Sequence, residues 1–123
     1  MSVLSAFTTQ LVRFFQELHD TFPEERDIKM AKEAIEGAKR VNPRLVLDLF
    51  NDHVYKDLSG AIYDKNVDEI LRVGQAKIAT QFNEMSPAIN IFNKHWDTMG
   101  EANQDSIWQY LTVLCRLSEK ARS

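Results

Sequence analysis

The sequence predicts an all-α fold, a compact bundle of five or six helices with short connections, and three features carry that prediction. Large apolar residues recur at steps of three and four along most of the chain. Helix-starting pairs, Asn42-Pro43 and Ser86-Pro87, punctuate the pattern, and Gly100 supplies a stop. No strand alternation, internal repeat or low-complexity run interrupts it. At 123 residues, 44% of them hydrophobic, the chain makes one domain over residues 1–123 and can bury a core without disulfides.

The first helical stripe comprises Phe7, Leu11, Phe14, Phe15, Leu18 and Phe22, with Arg13, Gln16, Glu17 and Asp20 on the other side. Pro23 ends this helix or opens the next. A second helix over about Pro23 to Arg40 would begin with Glu24, Glu25 and Asp27 at its positive dipole end. It would turn Ile28, Ala31, Ile35, Ala38 and Val41 inward. Ala31, Ala34, Gly37 and Ala38 make that face small enough for a close neighbour.

Asn42 as N-cap and Pro43 at the first helical position start a third helix, whose apolar face is Leu45, Val46, Leu49, Phe50, His53 and Val54. Leu58, Ile62 and Tyr63 add a turn or two before Asp64-Lys65-Asn66 breaks it. Asn66 followed by Glu69 reads as a cap for a fourth helix with Val67, Ile70, Leu71, Ile78, Phe82 and Met85 inward and Gly74 in its middle. Ser86-Pro87 opens the next, carrying Ala88, Ile89, Phe92, Trp96 and Met99.

After Gly100 the closing helix has Ile107, Leu111, Leu114, Cys115 and Ser118 on one face, with Trp108 and Tyr110 beside it. A helix this apolar on more than one side needs more than one neighbour. The short connection predicts that the last two helices pair antiparallel and that Trp96 meets Trp108 near the turn.

Composition narrows the function. Fifteen Lys and Arg against 18 Asp and Glu give a net charge of -3, which argues against a dedicated nucleic-acid binder. One cysteine forms no intrachain disulfide. The opening residues lack the pattern of a signal peptide, and no apolar run reaches the roughly 20 residues that span a bilayer, so a soluble, intracellular protein without membrane contact is expected.

Chemistry-bearing motifs are scarce. Di-iron bundles use Glu-x-x-His, but Gln16, Phe50 and Phe92 stand three residues before His19, His53 and His95. His53 and Asp57 have i, i+4 spacing, a weak metal-ligand pair that competes with a structural His53 on the apolar stripe. Cys115 lies among leucines and reads as a buried thiol rather than a nucleophile. The glycines are dispersed and no phosphate loop exists. No catalytic residue and no cofactor is therefore expected.

Lys29, Lys32, Lys39, Arg40 and Arg44 form a basic group that could touch phosphates, although Glu33 and Glu36 are interleaved as on an ordinary solvated face. Trp108 and Tyr110 either line a groove or dimer seam, or belong to a closing helix covered on two sides.

Three segments also carry a resemblance: Phe14 to Glu24, Asn42-Pro43 to Phe50, and His95-Trp96 with Ile107-Trp108-Gln109-Tyr110-Leu111. They resemble a group of small helical proteins of unknown function from nucleocytoplasmic large DNA viruses of algae and amoebae. The resemblance covers both ends of the chain, rests on packing and capping residues, and leaves Asp64 to Met85 unmatched. It implies a common fold and a viral setting, in host cytoplasm or virion, and transfers no catalytic residue. The combined expectation is a non-enzymatic interaction, structural or regulatory protein that self-associates or binds a protein partner, with nucleic-acid association or a metal-dependent enzyme as alternatives.

Overall fold

In a computed structural model that describes residues 2–122, the chain is helical from Val3 onward. The helices are α1 (Val3–Thr21), α2 (Arg26–Val41), α3 (Pro43–Phe50), α4 (Lys56–Tyr63), α5 (Val67–Thr80), α6 (Ser86–Lys94) and α7 (Glu101–Arg122). A π-helical turn over Asn51–Tyr55 joins α3 to α4 without a break, so the two form one rod. A single 3₁₀ turn, Trp96–Thr98, precedes α7. The all-α bundle is therefore present, with short connections throughout.

The inner stripe of α1 buries as the spacing predicts, from Phe7 through Phe22. Phe7 packs edge-on against Phe50 of α3, with ring centroids 5.2 Å apart. Ser2 caps α1 by accepting from the Ser5 N–H at 3.0 Å. Asn42 caps α3 in the same way, accepting from Arg44 N–H at 3.0 Å, and Asn66 caps α5 by accepting from Glu69 N–H at 3.1 Å. The Glu69 side chain turns to Arg72 rather than back to Asn66, so the reciprocal half of a capping box is missing.

Asp64-Lys65-Asn66 ends α4 by a Schellman arrangement. Lys65 sits in the left-handed region at φ 53°, while Lys65 N–H donates to Ile62 O at 3.1 Å and Asn66 N–H to Ala61 O at 2.8 Å. α5 then doubles back along α4 and packs on α6.

Several expectations are corrected. α2 starts at Arg26, three residues later than expected. Val41 and Leu45 do not face inward: Val41 closes α2 beyond the reach of its neighbours and is 83% exposed, and Leu45 on the first turn of α3 is 47% exposed. α5 stops at Thr80, so its apolar period no longer governs Phe82, which is 65% exposed. Gly37 meets open space, and the close approach occurs instead at Gly74, which lies against Ile89 of α6. Ser86 is the first residue of α6, and its hydroxyl accepts from Asn83 N–H at 3.0 Å rather than capping the helix.

The partner of α7 also differs from expectation. Its principal neighbour is α1, with α4 on a second side. Trp96 and Trp108 do meet, at 5.1 Å and 70°, because the 3₁₀ turn swings Trp96 under α7. α7 is thus covered by α1 and α4 on two sides, while Gln109, Val113 and Arg116 stay exposed.

Candidate functional site

Trp108 is 6% exposed and packs against the stacked pair of Trp96 and Phe92, the latter with centroids 5.5 Å away. Its place as an interface residue is therefore corrected: the indole belongs to the core, because α7 is covered on the side where it points. Tyr110 is half-buried against Phe14 at 5.5 Å and borders a shallow depression with Gln10, Glu17 and Gln109. That depression is mostly polar and offers little to an apolar partner.

The exposed apolar surface lies elsewhere. Met30 of α2 and Phe82 of the α5–α6 loop are each 65% exposed and face a groove of ≈ 300 Å³. Ala31, Ala34 and Pro87 form its base. Its polar lining is Asp27, Asn83 and Glu84, without a cation. Asp27 and Glu84 have no ion-pair partner among the described residues.

Local bonding explains why Phe82 is presented outward. Asn83 Nδ2 donates to Gln81 O at 2.9 Å, and Asn83 Oδ1 accepts from Met85 N–H at 2.8 Å. These bonds give the loop a fixed shape while Met85, three residues past Phe82, enters the core at 1% exposure. An ordered loop that keeps a phenylalanine in water is an observation that the helical period could not supply. The small residues of α2 were legible, but as a core face rather than as a groove.

The basic group is paired at one position only among the described residues. Lys32 Nζ is paired with Glu36 at 2.8 Å. Lys29, Arg40 and Arg44 are exposed and Lys39 is half-buried, and none of these four has an ion pair among the described residues.

The His53–Asp57 pair, the weak metal-ligand alternative, is engaged by the protein itself at its carboxylate. Asp57 Oδ2 is bound by Lys77 Nζ at 2.7 Å, and the same ammonium donates to the Asp52 carbonyl at 2.9 Å. Lys77 thereby satisfies a carbonyl in the π turn, where the regular α ladder is interrupted. His53 Nδ1 and Asn51 Oδ1 are buried in that turn without a hydrogen-bond partner.

Among the described residues, the group with metal-ligand proximity is Glu24, Glu25 and His95, whose ligand atoms lie within 4.8 Å of one another. His95 Nε2 donates to Glu25 Oε1 at 2.9 Å and stacks on Phe22, and Lys94 Nζ lies 3.2 Å from Glu25 Oε2. The His95 hydrogen bond, with help from Lys94, holds the Glu25 carboxyl below the usual carboxylate range against the opposing effect of burial. The Lys94 ammonium and the His95 hydrogen bond therefore already engage this carboxylate.

A second polar cluster pins the end of α7. Tyr55 Oη and Tyr63 Oη both donate to Glu119 Oε2, at 2.7 and 2.5 Å. Arg116 lies over the Tyr63 ring at 4.3 Å and Arg122 over Tyr55 at 4.4 Å. The tyrosine hydrogen bonds lower the Glu119 carboxyl. Burial, then the bond to Glu119, raises Tyr63. Cys115 is fully buried nearby, its thiol pushed up to about 12 by desolvation, which leaves it inert at neutral pH as the leucine-rich surroundings predict.

A void of ≈ 20 Å³ among Leu11, Phe15, Phe50, Ile70 and Phe92 is lined by apolar side chains, so it stays dry. Among the described residues no helix is long and apolar enough to cross a membrane. No family model, curated protein or solved structure matches the chain.

Proposed function

We propose that this chain is a non-enzymatic interaction module that seats a protein segment in the groove between Met30 and Phe82. One observation carries the reading: two large apolar side chains from separate elements, each 65% exposed, line one groove together with two alanines and a proline. Burial of such side chains contributes about 1.5 to 3 kcal/mol each, enough to make them anchors for binding. The groove lies between helical elements with no sheet edge beside it, so the fitting mode is an amphipathic helix laid in a groove. The viral setting implied by the sequence resemblance, in host cytoplasm or virion, suits an adaptor or structural component and is proposed with it.

A designed amphipathic Leu/Lys helical peptide is a direct probe. Amide shifts of the labelled protein should change at Met30, Ala31, Ala34 and Phe82, and should vanish in Met30→Ser/Phe82→Ser. Shifts scattered over the surface, or none at millimolar peptide, would overturn the groove reading.

Phosphate contact through Lys39, Arg40 and Arg44 is a second reading, supported by their lack of ion pairs among the described residues. Pairing of Lys32 with Glu36 and the exposed Asp48 one turn past Arg44 weaken it. Failure to retard single- or double-stranded probes at low ionic strength would remove it.

A further inference from the structure

We infer that the occupant of the groove is the α2–α3 corner of a second copy of this chain; this rests on the groove reading above. The occupant has to bring apolar side chains together with positive charge, because Asp27 and Glu84 line the groove unpaired and no cation accompanies them. The chain itself displays such an element. Val41 and Leu45, 83% and 47% exposed, flank the Asn42-Pro43 turn, and Lys39, Arg40 and Arg44 surround them without ion pairs among the described residues.

The corner is already shaped for docking. Asn42 Oδ1 accepts from Arg44 N–H, Leu45 N–H donates to Asn42 O at 3.0 Å, and Pro43 restricts the backbone between them. Little ordering entropy is then lost on contact. The corner cannot fill its own groove, since Met30 and Val41 stand about 16 Å apart along the same straight helix. Groove against groove or corner against corner is disfavoured, because it would oppose Asp27 and Glu84 to their own copies and Arg40 to Arg40. The contact is therefore groove to corner, and it either closes reciprocally as a two-fold dimer or propagates into a ring or a short open chain. One groove and one corner make a small, salt-sensitive interface, so association belongs to the weak, concentration-dependent class.

Sedimentation velocity on the intact chain tests this with two surface variants, Phe82→Asp for the groove and Val41→Asp/Arg44→Glu for the corner, each checked for a native circular-dichroism melt. The wild type should gain mass with concentration and lose it with added salt. Each variant alone should be monomeric, and an equimolar mixture should form a heterodimer that grows no further, since only one intact corner and one intact groove meet. A wild type that stays monomeric up to millimolar concentration overturns the inference. So does a variant that still self-associates, or a mixture that stays monomeric. If that failure leaves the Leu/Lys peptide shifts at Met30 and Phe82 intact, the groove reading stands with a foreign occupant; loss of both removes the two together.

Discussion

Gly74 of α5 lies so close to Ile89 of α6 that a Cβ at position 74 would sit 2.6 Å from Ile89 Cγ2. That branch is anchored at the Ile89 Cβ, so the helices rather than a flexible side-chain tip have to move. Gly74→Ala should accordingly destabilise the fold by about 1 to 3 kcal/mol, outweighing the gain of about 1 kcal/mol that alanine brings to a helix interior. Gly37→Ala is the control, because nothing lies within 4 Å of its added Cβ and its φ is not positive. It should stabilise by about 0.5 to 1 kcal/mol. Urea unfolding of both variants checks the opposite signs.

The contrast between the two glycines shows what the sequence could and could not reveal. The apolar period of α1, the Asn42 and Asn66 caps, and the meeting of Trp96 with Trp108 were all legible, since each depends on local spacing. Which glycine is crowded depends on the approach of another helix, and that is tertiary information. The same holds for the site: Phe82 and Val41 continue their stripes by count, yet α5 ends before Phe82 and α2 ends at Val41, where no neighbour covers it. Trp108 fails in the opposite direction. Its offset from the main α7 face suggested exposure, but the 3₁₀ turn places Trp96 there.

Trp108 is therefore a core residue by expectation of its energetics. Trp108→Ala should cost about 3 to 5 kcal/mol, within the range for truncating a buried aromatic. Val113→Ser, on the exposed side of the same helix, should change stability by no more than about 0.5 kcal/mol. Chemical denaturation followed by far-ultraviolet dichroism, which needs no tryptophan, separates the two.

Lys77 serves two acceptors on the rod, the Asp52 carbonyl in the π turn and the Asp57 carboxylate. Lys77→Met keeps most of the aliphatic stem and removes the ammonium. It should cost about 0.5 to 1.5 kcal/mol and increase hydrogen exchange selectively over residues 51–57. Unchanged exchange there would show that the π turn does not depend on this contact.

Glu119 ties Tyr55 and Tyr63 to α7, and its acid titration should be visible in stability. Its folded carboxyl is lowered, first by the Tyr63 hydrogen bond and then by that of Tyr55, so its contribution is complete above the unfolded glutamate value of about 4.3 and is lost as pH falls through the folded value. The melting temperature of the wild type should thus exceed that of Glu119→Gln by a constant margin at neutral pH, and the margin should narrow on acidification below about pH 4. Tyr63→Phe, which deletes the largest cause of the shift, should move the onset of that narrowing toward ordinary glutamate behaviour. A margin independent of pH would mean that Glu119 binds protons equally well folded and unfolded, so that the tyrosine hydrogen bonds do not favour its charged form.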